Sequence, residues 1–405
     1  MKIWIKLLLG SLIGLALGLF LPVAAQGVLD AVADVLLGVG RYAIVPLVFF
    51  SVGVGVSELR QEKRLARVYA STFKYLALAA AVLVLIGVVS VLIFPPERVP
   101  IAVAADKALQ PVLVLDGLKS IFPRNLFTVL VHGGEFLLPV VVLAFLLGVN
   151  LDFDRLLTRP IAQFFDSLSR IFYHLNSLVV ELLGIAIIAL ASAWIMRVAH
   201  ADPGTYRQIL IILAVDVALV AFGVFPGALY LLGVKSPYRW LYAAMGPGLA
   251  GLFTGDQYLS LGVLSKHGKE SLGVPRSIGS SVYAVSACLG RAGSAMVAAV
   301  SFMLVLRSYS QIEVSFLQVL WVVGFSFLVS FVLGAVPGMG AYFAVFMLCS
   351  LYGKGLQEGY LVLKAIAPLL VAFGAFIDVL GSAFISLLIA REENVWTEVE
   401  TENFI

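Results

Sequence analysis

Long apolar runs separated by short charged segments dominate the chain. A helix needs roughly 20 apolar residues to cross a bilayer core of about 30 Å. The first six runs of about that length or more cover residues 4–24, 28–57, 69–95, 120–149, 163–196 and 206–233. This pattern predicts an all-α polytopic membrane protein.

Composition supports the same interpretation. Of the 405 residues, 61% are hydrophobic and 13% are charged, whereas soluble domains are about 25% charged. The net charge of +3 indicates no nucleic-acid partner. Cys288 and Cys349 both lie in apolar runs and predict no disulfide, and the four histidines lack metal-ligand spacing. The first run could be a cleaved signal peptide, but its length and the spans that follow favour a retained first helix.

Basic residues recur after every second run, as the positive-inside rule predicts for cytoplasmic loops. Lys2 and Lys6 lie at the start of the first run, the segment 60–67 holds four basic residues, and Arg159 and Lys235 follow at the same spacing. We therefore expect an integral protein of a prokaryotic inner or plasma membrane, with both termini in the cytoplasm.

The run 241–264 breaks this alternation, because basic residues flank it on both sides. A single crossing would place one flank outside, so we expect a re-entrant hairpin over 236–276. Non-helical backbone at membrane depth survives only when it is buried in protein or faces a cavity. The hairpin tip, with Asp256, Gln257 and Tyr258, is therefore a candidate solute site, although Asp256 could simply cap a half-helix.

A second anomaly lies in residues 314–353, which contain no Asp, Glu, Lys or Arg. They would form about 60 Å of continuous helix, roughly twice the bilayer core. Glycine and proline interrupt this stretch at 334–340, which predicts a second re-entrant hairpin over 311–356 with open amides at its tip. The tip residues are Val336, Pro337, Gly338 and Gly340.

Each expected hairpin is followed by one long segment, at 277–310 and 357–391. A hairpin plus a span therefore occurs twice, which is typical of an internal repeat. Paired interrupted segments in corresponding halves indicate a transporter site near the bilayer midplane.

Four stretches resemble a known family, the dicarboxylate/amino acid:cation symporters, which include the glutamate transporters. GRYAIVPLVFFSVGVGVSEL (40–59) is similar to the family's second helix, and IFPRNLFTVLVHGGEFLLPVVVLAFLLGVNL (121–151) to its fourth. SPYRWLYAAMGPGLAGLFTGDQYLSLG (236–262) resembles the approach to its first hairpin, and GAVPGMGA (334–341) its second hairpin tip. The order and spacing of the stretches agree as well.

The resemblance implies about eight transmembrane helices plus two re-entrant hairpins, arranged as inverted repeats in a homotrimer. It also implies a static scaffold and a mobile transport domain that carries solute as an elevator. The scaffold would contain residues 1–68 and 120–205. The transport domain would include the third helix and extracellular loop (69–119), both hairpins and the last two spans. Residues 206–235 would form helix 6, and residues 392–405 a cytoplasmic tail.

The hairpin tip and the seventh helix depart from the family pattern. The family's first tip is serine-rich, whereas this chain has TGDQYLSLG at 254–262. In the seventh helix, the family motif N-M-D-G-T supplies an Asn and an Asp that help to ligate sodium. The matching residues here are Gly290, Arg291, Ala292, Gly293 and Ser294.

The eighth helix departs in the same direction. Asp378 matches the aspartate that receives a substrate amino group, and Ser382 matches a threonine. Gly381 stands where the family has an arginine for the substrate side-chain carboxylate. Ile385 and Ile389 stand where sodium-ligating Asn and Asp would be, so we expect the family's sodium coupling to be absent.

Arg291 suggests a replacement for the ion. A guanidinium is a permanent positive charge with a bidentate fork for carboxylates. It could neutralise Asp378 or Asp256, bind a solute carboxylate, or remain a structural ion-pair partner. Ser294 is also a predicted site residue. Asp378 could bind an amine or take up a proton. Glu135, Glu181 and Asp216 are interpreted as structural or interfacial.

The sequence therefore predicts a secondary active transporter, with no bound cofactor, for a small anionic or zwitterionic solute such as glutamate, aspartate or a dicarboxylate. Proton coupling or exchange would replace sodium coupling. One alternative is a sodium symporter with displaced ion ligands, and another is a passive channel. An intramembrane aspartyl protease using Asp256 and Asp378 is disfavoured, because FTGD (253–256) has Phe253 where a GxGD motif needs glycine.

Overall fold

The computed structural model describes residues 2–100, 121–123, 125–131, 136–151, 153–199, 203–309, 314–335 and 339–405. Throughout these residues the regular elements are helical, and none is a strand. Seven helical segments of this described part are long and apolar enough to cross a membrane. The all-α class and the repeated apolar helices predicted from the sequence are therefore confirmed.

The described residues of the first half of the chain form six principal helices. They are α1 (Ile3–Phe20), α2 (Gln26–Arg41), α3 (Ile44–Gln61), α4 (Leu65–Ile93), α5 (Leu138–Asn150) and α6 (Arg155–Ala199). The predicted run 28–57 is interrupted at Tyr42 and Ala43, between α2 and α3. The helix predicted over 163–196 begins earlier in the structure, because α6 extends back to Arg155.

Small residues determine how α1 packs against α6. Glycine recurs at every fourth position of α1, as Gly10, Gly14 and Gly18. A Cβ added at Gly14 would lie 2.4 Å from the carbonyl oxygen of Ile188 in α6, so only glycine permits this approach. Repeats of small residues at this spacing let membrane helices pack backbone against backbone.

The second half contains shorter helices with more interruptions. They are α7 (Pro203–Ala218), which continues through a π-helix (Leu219–Val224) into α8 (Phe225–Leu231), then α9 (Pro237–Thr254), α10 (Gln257–Glu270), α11 (Arg276–Leu289), α12 (Ala292–Tyr309), α13 (Phe316–Val329), α14 (Gly340–Tyr352) and α15 (Ala367–Glu392). The α9–α10 pair falls within the first expected hairpin, and the α13–α14 pair within the second. Re-entry of either pair into a membrane stays a prediction.

Burial identifies the centre of the bundle. The apolar window of α11 and α12 is 83% buried, whereas that of α1 is 33% buried. Helices α4, α14 and α15 all pack against α12. The break between α11 and α12 therefore lies in the most enclosed part of the protein, where a charged side chain has the strongest need for partners.

Candidate functional site

Asp378, in the middle of α15, binds the N-terminus of α12. Its Oδ1 accepts hydrogen bonds from the backbone N–H groups of Gly293 (2.7 Å) and Ser294 (3.1 Å), and its Oδ2 accepts one from the Ser294 hydroxyl (2.6 Å). The first amides of a helix lack intrahelical acceptors and carry partial positive charge, so they stabilise a carboxylate. These contacts use three of roughly four acceptor positions of the carboxylate.

Arg291 lies at the break between α11 and α12. It is 1% exposed and heads the largest fully buried side chains of the described residues. Its Nε donates to the carbonyl oxygen of Ala287 (3.4 Å), and its guanidinium carbon lies 5.8 Å from the centre of the Tyr258 ring. The interrupted helix therefore holds a permanent positive charge in the centre of the bundle.

Gly340 brings the N-terminus of α14 to the same place. A Cβ added at Gly340 would lie 3.0 Å from Ser294 Oγ and 3.7 Å from Arg291 Nη1. Met339, which precedes the first turn of α14, makes no capping hydrogen bond with its side chain. The partial positive charge of this helix end therefore adds to that of the arginine.

Tyr258 connects this cluster to the α9–α10 pair. It is fully buried, and its hydroxyl donates to the carbonyl oxygen of Gly334 and accepts a hydrogen bond from the backbone N–H of Leu137 (3.3 Å). Since both hydrogen-bonding functions of the hydroxyl are engaged, the ring is the part of Tyr258 that faces Arg291. From these contacts we infer that Tyr258 positions Arg291.

Asp256 has a separate set of partners. Its Oδ1 accepts hydrogen bonds from the backbone N–H groups of Tyr258 (2.9 Å) and Leu259 (3.4 Å), so it caps α10. Its Oδ2 forms an ion pair with Arg41, the last residue of α2. Asp256 therefore caps a helix, as the sequence analysis considered. Its contact with a solute stays a prediction.

The remaining predicted site residues fall into three groups. Ser382 donates its hydroxyl to the backbone carbonyl of Asp378 (2.9 Å), one helical turn away. Gln257 is 3% exposed, and its Oε1 has no hydrogen-bond partner among the described residues. Val336, Pro337 and Gly338 lie outside the described residues, as does Glu135.

Arg41 was missed by the sequence analysis. A signal was available, because Arg41 is the only arginine or lysine in the apolar run 28–57.

Two of the acidic residues interpreted as structural make intramolecular contacts. Asp216 accepts a hydrogen bond from the Ser90 hydroxyl (2.7 Å), which joins α7 to α4, and Glu181 pairs with Lys266 (3.3 Å).

Broken helices whose ends gather charged side chains in the centre of an apolar bundle are typical of secondary transporters. Residues 3–392 match the sodium:dicarboxylate symporter family, so the chain belongs to that family. The resemblance stated from the sequence is confirmed. The chain is accordingly an integral membrane transporter and not an enzyme, which removes the aspartyl protease alternative.

Curated relatives are similar at low identity. The proton/sodium-glutamate symport protein of Bacillus caldotenax is 20% identical over 416 residues, which cover 100% of this chain and 96% of that protein. That of Geobacillus stearothermophilus is 21% identical over 422 residues, covering 100% and 96% respectively. C4-dicarboxylate transport protein 3 of Ralstonia nicotianae is 24% identical over 195 residues, which cover 45% of this chain and 43% of that protein.

Proposed function

We propose that the protein is a secondary active transporter of a small anionic or zwitterionic organic solute, such as glutamate, aspartate or a dicarboxylate. Transport would be coupled to protons or to exchange, without the family's usual sodium sites. The names of the relatives support the solute class, since they include glutamate and C4-dicarboxylate.

The observation that carries this proposal is the cluster of Arg291, Ser294, Asp378 and the N-terminus of α14. Arg291 and the helix end provide positive charge for a solute carboxylate. Asp378 retains one acceptor position that a solute ammonium group could use. The cluster therefore suits a solute that carries a carboxylate, with or without an amine.

The proposed loss of sodium coupling is supported by the groups that replace the family's ligands. Ile385 is 2% exposed and Ile389 is fully buried, and both belong to the apolar core. Hydrocarbon side chains cannot ligate a hard cation, which takes oxygen ligands. The fixed charge of Arg291 would make a bound cation unnecessary for holding an anion in the bundle centre.

An elevator mechanism in a homotrimer remains part of the proposal. The Arg41–Asp256 ion pair joins α2, in the expected scaffold, to the tip of the first hairpin, in the expected transport domain. If the two domains slide past each other during transport, this contact must break and reform in each cycle. Both chain termini would be cytoplasmic.

Uptake into proteoliposomes tests the proposal. Radiolabelled glutamate, aspartate and succinate would be offered under an imposed sodium gradient, an imposed proton gradient with an alkaline lumen, or internal unlabelled solute. We expect accumulation with the proton gradient or with internal solute, and none from the sodium gradient alone. Accumulation driven only by sodium would contradict the coupling, and conductance without saturable uptake would indicate a channel.

A conventional sodium symporter with displaced ion ligands is the second candidate. The names of the two relatives that match the whole chain include sodium as well as protons, which favours this candidate. Backbone carbonyls at the helix breaks would then have to provide the ligands. The same uptake experiment separates this candidate, because it requires a response to sodium at constant pH.

A further inference from the structure

A cavity of about 300 Å³ lies at one end of the bundle, away from the α11–α12 break. It is enclosed by the start of α9, the end of α15 and residues of the C-terminal segment 395–405. The residues that matter here are Lys235, Arg239, Trp240, Arg391 and Glu398, all of which line it. Three of these are cations and one is an anion, so the lining has a net charge of +2.

Three buried N–H donors of this lining have no acceptor among the described residues. They are Nε of Arg239, Nη1 of Arg391 and Nε1 of Trp240. Trp240 is 5% exposed, so its indole has no ready access to solvent. An unsatisfied buried donor is destabilising, so three such donors carried by residues around one cavity favour an acceptor there.

The N-terminus of α9 adds positive charge at the same place. Ser236 precedes the first turn of this 18-residue helix and makes no capping hydrogen bond with its side chain. Pro237 follows at the first helical position and has no N–H of its own. A helix N-terminus beside two arginines is a favourable environment for an oxyanion.

The C-terminal segment closes the cavity from outside. Trp396 donates its indole N–H to the carbonyl oxygen of Leu272 (2.9 Å), and the Thr397 N–H donates to the carbonyl oxygen of Gly273 (3.1 Å). Arg239 holds the same segment through an ion pair with Glu398 (2.9 Å). An anion bound beneath the segment would therefore contact both the helix bundle and the residues that cover it.

We propose that this cavity binds a phosphate group, which a phosphate dianion or the headgroup of an anionic lipid would supply. The net charge of +2 favours an anion, and a tetrahedral oxyanion presents several acceptors to donors that arrive from different elements. The site is separate from the transport site and does not depend on the transported solute. Its occupancy stabilises the C-terminal segment against α9 and α10.

Thermal unfolding of the full-length protein in neutral detergent tests the proposal. Inorganic phosphate is compared with chloride at equal ionic strength, and phosphatidylglycerol with phosphatidylcholine in mixed micelles. We expect one of the two anionic probes to raise the melting temperature by about 2 °C or more. A response to inorganic phosphate identifies a soluble anion, whereas a response to phosphatidylglycerol alone identifies a lipid headgroup.

Variants distinguish a site from a general salt effect. Trp240→Phe removes one orphan N–H, and Arg391→Gln removes one cation. Each should lose more than half of the stabilisation. Arg197→Gln removes an arginine that pairs with Asp30, away from the cavity, and this variant should retain the full stabilisation by the probe. The proposal is overturned if neither probe stabilises the protein, or if all four proteins respond equally.

Discussion

The N-termini of α10 and α14 differ in the charged side chains that lie beside them. At α10, Asp256 caps the first turn, and its charge is balanced by Arg41. At α14, Gly340 contributes no side chain, and Arg291 and Ser294 lie beside this helix end. One end therefore has a carboxylate of the chain, whereas the other has an arginine beside it. Under the proposed function, a solute carboxylate would bind at the second end.

Replacement of Arg291 should produce the largest effect on this difference. Arg291→Gln leaves the α14 end without its cation, so solute binding should weaken by about 2–5 kcal/mol, or roughly 30-fold or more in Kd. Isothermal titration of the solute measures this change. Arg307→Gln, at the other end of α12, is the matched control and should bind normally. Unchanged affinity in Arg291→Gln would exclude the arginine from the site.

Asp378→Asn should show which chemical group of the solute approaches α12. Asparagine preserves the shape of the side chain but removes its charge. A solute with an ammonium group should lose about 1.5–3 kcal/mol of binding free energy, whereas a dicarboxylate should lose little. Competition assays with aspartate and succinate compare the two. Equal losses for both solutes would mean that Asp378 acts through the structure of the α12 N-terminus alone.

Gly340→Ala tests whether solute binding needs a residue without a side chain at the N-terminus of α14. The added methyl group would lie 3.0 Å from Ser294 Oγ, which cannot retreat freely because it donates to Asp378. Overpacking of this kind costs about 1–3 kcal/mol, and we expect a corresponding loss of affinity. Gly324→Ala on α13 is the control, since a Cβ there meets nothing within 4 Å. Equal binding by both variants would contradict the assignment of the α14 N-terminus to the solute site.

Arg41→Gln should have the smallest effect on binding. Asp256 keeps its two amide donors in α10, so Kd should change by less than about threefold, in line with a partly exposed ion pair. The transport rate should change more than Kd, because the pair joins the two expected domains. Arg170→Gln, which removes the ion pair with Asp166, is the control for both readouts. A large loss of affinity would place Asp256 in the solute site instead.

The sequence predicted the helical class and the interruptions better than the contacts between them. The charge-free run and its clustered Gly and Pro mark residues 334–340 directly, because both features act locally on the backbone, whereas α9 continues as a helix through Pro247 to Thr254. The pairing of Asp256 with Arg41 joins residues 215 positions apart, and no local pattern encodes it.

Asp378 shows a related limit. Its match to the family's aspartate indicated a site role, but its binding to the amides of Gly293 and Ser294 depends on how α15 packs against α12. Sequence alone identified the carboxylate and left its partner open. The same holds for Tyr258, whose hydroxyl is engaged by Gly334 and Leu137 from two distant segments.

The most direct test of the central proposal is the melting temperature of the purified protein with solute in sodium, potassium or choline chloride at equal ionic strength. If Arg291 takes the place of the ion, glutamate, aspartate or a dicarboxylate should stabilise the protein equally in all three salts, by about 2.7 kcal/mol at a hundredfold excess over Kd. Stabilisation that occurs only in sodium would contradict the proposal. The ion would then be held by other groups, and the second candidate function would stand.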